Sequence, residues 1–209
     1  MWMLFWMPLA ATSTEPIRYA RTPGADETLV AAFKAGDVRA FDALFARYRQ
    51  PIFGYIYRSI GDFTLAEEMT QDVFLKVFLH LRQMALATPF KAWIYRIATT
   101  TCIDVHCAAS RRPAPVRDEE ALTLVANPHA SDPEQRAIQH EQRRAVRRTL
   151  DAMPAHYRQA LILRQLQGLS YSEVAEALGI SIDAVTSLIH RARQAFRTAY
   201  SRRQQEIER

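Results

Sequence analysis

A chain of 209 residues with 49% hydrophobic and 23% charged content has the composition of a soluble globular protein, which excludes bulk disorder. The formal charge of +5 is carried by arginine, since only Lys34, Lys76 and Lys91 are lysines; arginine suits paired contacts with phosphate and guanine, so a polyanionic partner is expected. The only cysteines, Cys102 and Cys107, exclude a secreted disulfide framework and fit a reducing cytoplasm.

The opening "MWMLFWMPLA" is apolar, but it lacks a basic leading stretch and is far shorter than a membrane span, so residues 1–25 read as a tail without membrane insertion. From Asp26 to Leu81 the pattern is helical: Leu29, Ala32 and Phe33, then Phe41, Leu44, Phe45 and Tyr48, recur at steps of three and four. "AGD" at 35–37 and "GDF" at 61–63 interrupt it. Leu65, Met69, Val73, Val77 and Leu81 then form one stripe, while Glu67, Glu68 and Asp72 face elsewhere near the helix start, where the macrodipole favours carboxylates. Thr88 and Pro89 open the next helix, "FKAWIYRIATTTCIDVHCAA", which ends at "SRRPAP".

Residues 113–132 hold prolines and the acidic run Asp118, Glu119, Glu120 without periodicity, and are expected to be a flexible linker. Asp132 caps a further helix, with Pro133 at its first position, which continues to Met153. No segment reads as a strand or a tandem repeat. The expectation is an all-α chain of two small helical domains, 26–112 and 133–209, joined by that linker.

The most informative stretch is "GLSYSEVAEALGISIDAVTSLIHRARQAF", residues 168–196. Ser170 and Glu173 have the spacing of a capping box for a helix to Leu178, Gly179 supplies a turn, and Ser181 caps a second helix. Val174, Ala175, Leu178, Ile180, Val185 and Leu188 occupy positions that a helix-turn-helix must bury. A plain helical hairpin would show the same stripe. Arg191, Arg193, Arg197, Arg202 and Arg203 downstream and Arg143, Arg144, Arg147 and Arg148 upstream favour the DNA reading, although the upstream group reads equally well as a solvated basic face.

With these residues in view, "MPAHYRQALILRQLQGLSYSEVAEALGISIDAVTSLIHRAR" resembles the -35 reading domain of bacterial sigma factors, particularly the extracytoplasmic-function group. "AFDALFARYRQPIFGYIYRSIGDFTLAEEMTQDVFLKVF" followed by "PFKAWIYRIATTTCIDV" is similar to their core-binding and -10 reading domain. The resemblance implies a non-enzymatic factor that binds core RNA polymerase and promoter DNA, helps melt the duplex, and has an anti-sigma factor as a further partner. It places polymerase docking on Glu67, Glu68, Gln71, Asp72 and Phe74. It places -10 reading and capture of a flipped base on the helix with Trp93, Tyr95, Arg96, Thr99 and Thr100. Stacking aromatics and basic groups suit single-stranded DNA, while Trp93 and Ile97, four apart, also read as core.

Thr186, Ser187, His190 and Arg191 fall on the outward side of the second helix and are expected at -35 bases, with Arg193 and Arg197 on phosphates. Two departures stand out. "RIATT" puts Thr99 and Thr100 where the family commonly has a basic residue and an asparagine, and "VTSLI" puts Thr186 and Leu188 where it has basic residues. Two rivals are a one-component regulator with an N-terminal sensing domain and a metal or redox enzyme built on Cys102, His106 and Cys107. The latter lacks a fourth ligand and an acid-base set, so no metal or cofactor is expected.

Overall fold

The computed structural model describes residues 24–85, 88–109 and 133–207. The apolar opening, the linker and the Asp132 cap lie outside these residues, as do the side chains of His106, Cys107 and Arg143. The described residues form eight α-helices and no strand: α1 (Ala25–Lys34), α2 (Val38–Ile60), α3 (Phe63–His80), α4 (Phe90–Ala109), α5 (Pro133–Asp151), α6 (Ala155–Leu161), α7 (Tyr171–Leu178) and α8 (Ile182–Ile207). The breaks that the sequence signals at 35–37 and 61–63 are present, between α1 and α2 and between α2 and α3. Asp37 and Asp62 cap α2 and α3 by accepting from the Arg39 and Leu65 N–H groups, and Gly61 closes α2 in a left-handed conformation.

The first half packs α1, α2, α3 and α4 around Phe33, Leu44, Ile52, Tyr55, Val73, Val77 and Ile94. α2 runs through Pro51 without ending, because Tyr48, Ile52 and Tyr55 on either side are buried and hold the helix by tertiary packing. Asp26 of α1 accepts from Arg47 and from the Tyr48 hydroxyl, pinning α1 to α2. In the second half, α6 passes into a π turn at Ile162–Leu166, in which the Gln167 N–H reaches the Ile162 carbonyl at 3.0 Å.

The two halves touch. α4 lies against α7, and the apolar cluster of the first half continues without a gap through Ile162, Leu163, Leu169, Val174, Val185 and Ile189 of the second. At the other end of the seam, buried Arg158 donates to the Ser59 carbonyl at 2.9 Å, and the Arg147 guanidinium sits 4.4 Å from the Tyr57 ring centre. Among the described residues no helix is long and apolar enough to cross a membrane.

Candidate nucleic-acid and polymerase interface

The helix-turn-helix forms as its local signals require. The Ser170 hydroxyl accepts from the Glu173 N–H, and the Glu173 carboxylate accepts from the Ser170 N–H, so both halves of the capping box are closed. Gly179 ends α7 at φ 68°, and the Ile180 N–H returns to the Ala175 carbonyl. Ser181 opens α8 by accepting from the Ala184 N–H. Val174, Ala175 and Val185 are buried as expected, and Leu178 and Leu188 half-buried. Ile180 is a correction. It stands just past the left-handed residue with 39% exposure, while Ile189 and Ala192, four and seven residues after Val185, fill the buried stripe of α8.

Opposite that stripe α8 presents Thr186, His190, Arg193 and Arg197 in one row, with Ser187 and Arg191 beside it, all exposed. The Thr186 hydroxyl donates to the Ile182 carbonyl at 3.0 Å, which leaves its methyl and an acceptor lone pair facing out. Arg191 folds back toward the Ser187 carbonyl, with Nε 3.4 Å from the oxygen. The first turns of this face carry short polar groups and the later turns carry cations.

On α3, Glu68, Gln71 and Asp72 are exposed and Glu67 is half-buried. Glu68 and Asp72 continue into Leu75 and Leu79 at helical steps, and both leucines are exposed, with Phe78 beside them. Sequence reasoning missed this apolar continuation, although the two leucines lie off the buried stripe of Met69, Val73 and Val77. Phe74, grouped with the docking residues, turns inward instead: it is 5% exposed and meets the Phe45 ring edge-on at 4.7 Å.

Between α3 and α4 lies an open cleft of about 330 Å³, lined by Lys76, His80, Trp93, Ile97, Thr100 and Thr101. Lys76 donates to the Thr101 hydroxyl at 3.2 Å. Of the residues expected to meet the -10 element, Trp93 and Thr100 face this cleft, and Arg96 is exposed. Tyr95 and Thr99 are in the interior: the Tyr95 hydroxyl donates to Gln167 Oε1 at 2.7 Å, and the Thr99 hydroxyl meets that of Tyr55 at 2.8 Å. Lys76 and His80 were not anticipated. Their signal was available, because they stand four apart at the end of α3, just before α4.

Cys102 is a buried free thiol, and its surroundings push its pKa up to about 12, chiefly through burial and against the opposing hydrogen bond with Ser59. That keeps it protonated and unreactive at neutral pH. No group of three or more His, Cys, Asp or Glu side chains fit for a metal occurs among the described residues.

Comparison with known proteins gives the family to which these helices belong. The family model described as Sigma-70 region 2 matches residues 44–112, and that described as Sigma-70, region 4 matches residues 143–196. The RNA polymerase sigma-H factor of Pseudomonas aeruginosa is 34% identical over 175 residues, covering 81% of this chain and 91% of the relative. The chain belongs to the sigma-70 family of RNA polymerase sigma factors.

The ECF RNA polymerase sigma-E factor of Escherichia coli is 33% identical over 178 residues, with the same coverage of 81% and 91%. The solved structure of CnrH in complex with the cytosolic domain of CnrY matches with a TM-score of 0.61 and 26% identity, covering 83% of this chain and 96% of that one. The RpoE–NepR complex of Bartonella quintana, a sigma factor with its anti-sigma factor, shares the fold at a TM-score of 0.60 and 18% identity, covering 78% and 98%. A sigma factor of the extracytoplasmic-function group directs promoter-specific initiation and is not an enzyme. The regulator with an N-terminal sensing domain is not favoured, since the family model described as Sigma-70 region 2 covers residues 44–112 of the half that it would need for sensing.

Proposed function

We propose that this sigma factor docks on core RNA polymerase through α3, captures the -10 element at the cleft between α3 and α4, and reads the -35 element with the first turns of α8. The observation that carries the reading is the exposed row Glu68, Asp72, Leu75 and Leu79 on one face of the same helix whose end lines the cleft. Carboxylates suit basic groups of a partner and direct its approach, while exposed leucines supply apolar area that a lone domain leaves unburied. In the cleft, Trp93 offers a ring for stacking, and Lys76 and His80 offer donors for an unstacked base or its phosphate. On α8, Thr186, Ser187, His190 and Arg191 read bases and Arg193 and Arg197 hold phosphates, because the N-terminal turns of a recognition helix enter the groove first. The protein acts in the cytoplasm, where polymerase works, and an anti-sigma factor is its further partner.

The test is transcription with purified core polymerase on a promoter library varied at both elements. Asp72→Lys together with Glu68→Lys should weaken co-purification with core polymerase and leave the helix-turn-helix folded. Trp93→Ala should lower open-complex formation. Arg191→Ala should cost about 1–3 kcal/mol at the preferred -35 sequence and flatten preference at one or two positions, whereas Arg197→Ala should weaken all sequences alike and reduce the salt dependence. Unchanged co-purification of the α3 double variant would remove the docking assignment. Altered base preference on Arg197→Ala with uniform loss on Arg191→Ala would reverse the roles on α8.

A further inference from the structure

An apolar face crosses α2 and α3 beyond the row assigned to polymerase. On α2, Val38, Phe41 and Phe45 recur at steps of three and four, and Leu75, Phe78 and Leu79 lie at the same steps on α3. The Phe41 and Phe78 rings meet edge-on at 5.1 Å, and Phe45 meets Phe74, one turn before Phe78, so the two stripes form one surface. Val38 and Leu79 are more than half exposed, and of the six only Phe41 is half-buried. Apolar residues scattered singly over a surface are ordinary, whereas a contiguous set marks a docking site.

The chain itself carries a complementary segment. Residues 2–9, "WMLFWMPL", include Trp2, Leu4, Phe5 and Trp6 and no charged side chain, and the function proposed above leaves them unused. The place where the chain enters α1 puts this segment within reach. Asp26, in the first turn of α1, accepts from Arg47 and from the Tyr48 hydroxyl, beside the turn of α2 that follows Phe45. From there the face runs back to Val38, about 14 Å at 1.5 Å per residue, and across to α3 by one helix spacing of about 8–10 Å. Residues 10–23, at about 3.5 Å each when extended, span up to roughly 50 Å. So short a tether gives its end an effective concentration of about millimolar at the face, which a second copy at ordinary concentration does not match. A membrane surface is the poorer occupant, because interfacial anchors carry Lys and Arg beside their apolar side chains, and the first basic residue here is Arg18.

We propose that residues 2–9 dock on the apolar face of α2 and α3 in the free factor and compete there with core polymerase, so that the chain carries its own brake on assembly with the enzyme. The docking rests on the apolar face alone; the competition rests on the reading of α3 as the polymerase surface. Covering Leu75 and Leu79 removes the apolar half of that surface and leaves Glu68 and Asp72 exposed to direct the approach of polymerase. Polymerase then displaces the segment because it also pairs those carboxylates, a contact for which residues 2–9 have no charge.

The full chain, purified without any partner, tests this. Benzoyl-phenylalanine in place of Phe5 should, on irradiation, cross-link within one chain to peptides holding residues 38–45 or 75–79, as read by mass spectrometry, and an excess of core polymerase should suppress that adduct. Phe5→Ser with Trp6→Ser, with helicity unchanged, should tighten binding to core polymerase by about threefold to tenfold, since a face mostly covered weakens apparent affinity by the fraction left open. Adducts between two chains only, or to residues outside α2 and α3, overturn the docking. So does co-sedimentation of the parent chain with phosphatidylglycerol–phosphatidylethanolamine vesicles without the intrachain adduct, which hands the segment to a membrane surface. An intrachain adduct on the face with core affinity unchanged by Phe5→Ser and Trp6→Ser overturns the brake and leaves the docking standing. The assignment of α3 is judged separately by the lysine variants of Glu68 and Asp72, whose loss of co-purification does not depend on residues 2–9.

Discussion

Thr99 and Thr100 are neighbours with opposite fates. Thr99 donates to the Tyr95 carbonyl at 2.7 Å, so the Tyr55 hydroxyl, 2.8 Å away, donates to Thr99; both hydroxyls are buried. Thr100 is exposed on the cleft. The sequence marked the pair as a departure from a basic residue and an asparagine, but two adjacent residues of a helix point about 100° apart, and only packing decides which is inward. Thr99→Val should therefore cost about 1–3 kcal/mol in urea unfolding by removing the Thr99 partner of the buried Tyr55 hydroxyl, and leave -10 preference alone, whereas Thr100→Val should do the reverse. Cys102 belongs with Tyr55 and Tyr48, both raised above the usual phenol range chiefly by burial. Each is neutral below its ionisation, so its contribution is fully present up to the unfolded value, near 9 for the thiol, and fades as pH climbs toward about 12. Stability measured between pH 8 and 11 should fall, and Cys102→Ala, less stable throughout, should fall less steeply.

At the scale of elements, what proved legible was local. The capping box at Ser170 and Glu173, the aspartate caps of α2 and α3, and the left-handed glycines are written within four residues of where they act, and the bounds expected for α4 and α7 are those observed. Ile180 and Ile189 were not assigned so well, because a residue just after a left-handed turn follows no helical period, whereas Ile189 follows Val185 by one turn. The π turn at Ile162–Leu166 had no signal either: "ILRQL" is ordinary helix by propensity, and the wider turn accompanies the burial of both Ile162 and Leu163. Gly179 carries a definite expectation. At φ 68° a side chain is strained though nothing lies within 4 Å of an added Cβ, so Gly179→Ala should cost about 1–2 kcal/mol in thermal or urea unfolding, and Gly179→Asn less.

For the whole molecule, the sequence spoke of two domains and a linker, and the structure shows a seam between the two halves that no periodicity reports. The stripes of α4 and α7 are amphipathic already, and the α4 side chains that reach across, Lys91, Tyr95 and Arg96, end in polar groups that pass as surface in a linear reading. The exception is Arg158, a guanidinium only 8% exposed, which holds the Ser59 carbonyl of the first half, the Met153 carbonyl of the second at 3.3 Å, and lies 3.8 Å from Asp151. A buried cation is retained at a cost in desolvation, and here the Asp151 carboxylate together with the Met153 and Ser59 carbonyls offsets that cost. With the core continuous, the halves should unfold together: α4 and α7 amides should show the same urea dependence of hydrogen exchange. Arg158→Met keeps most of the volume and removes the bridge. It should lower overall stability by about 1–3 kcal/mol and split the exchange profile, so that α7 and α8 open at lower urea than α4. Equal protection of α4 and α7 in this variant would mean that the apolar contact alone couples the halves, and would leave Arg158 with a role inside the second half only.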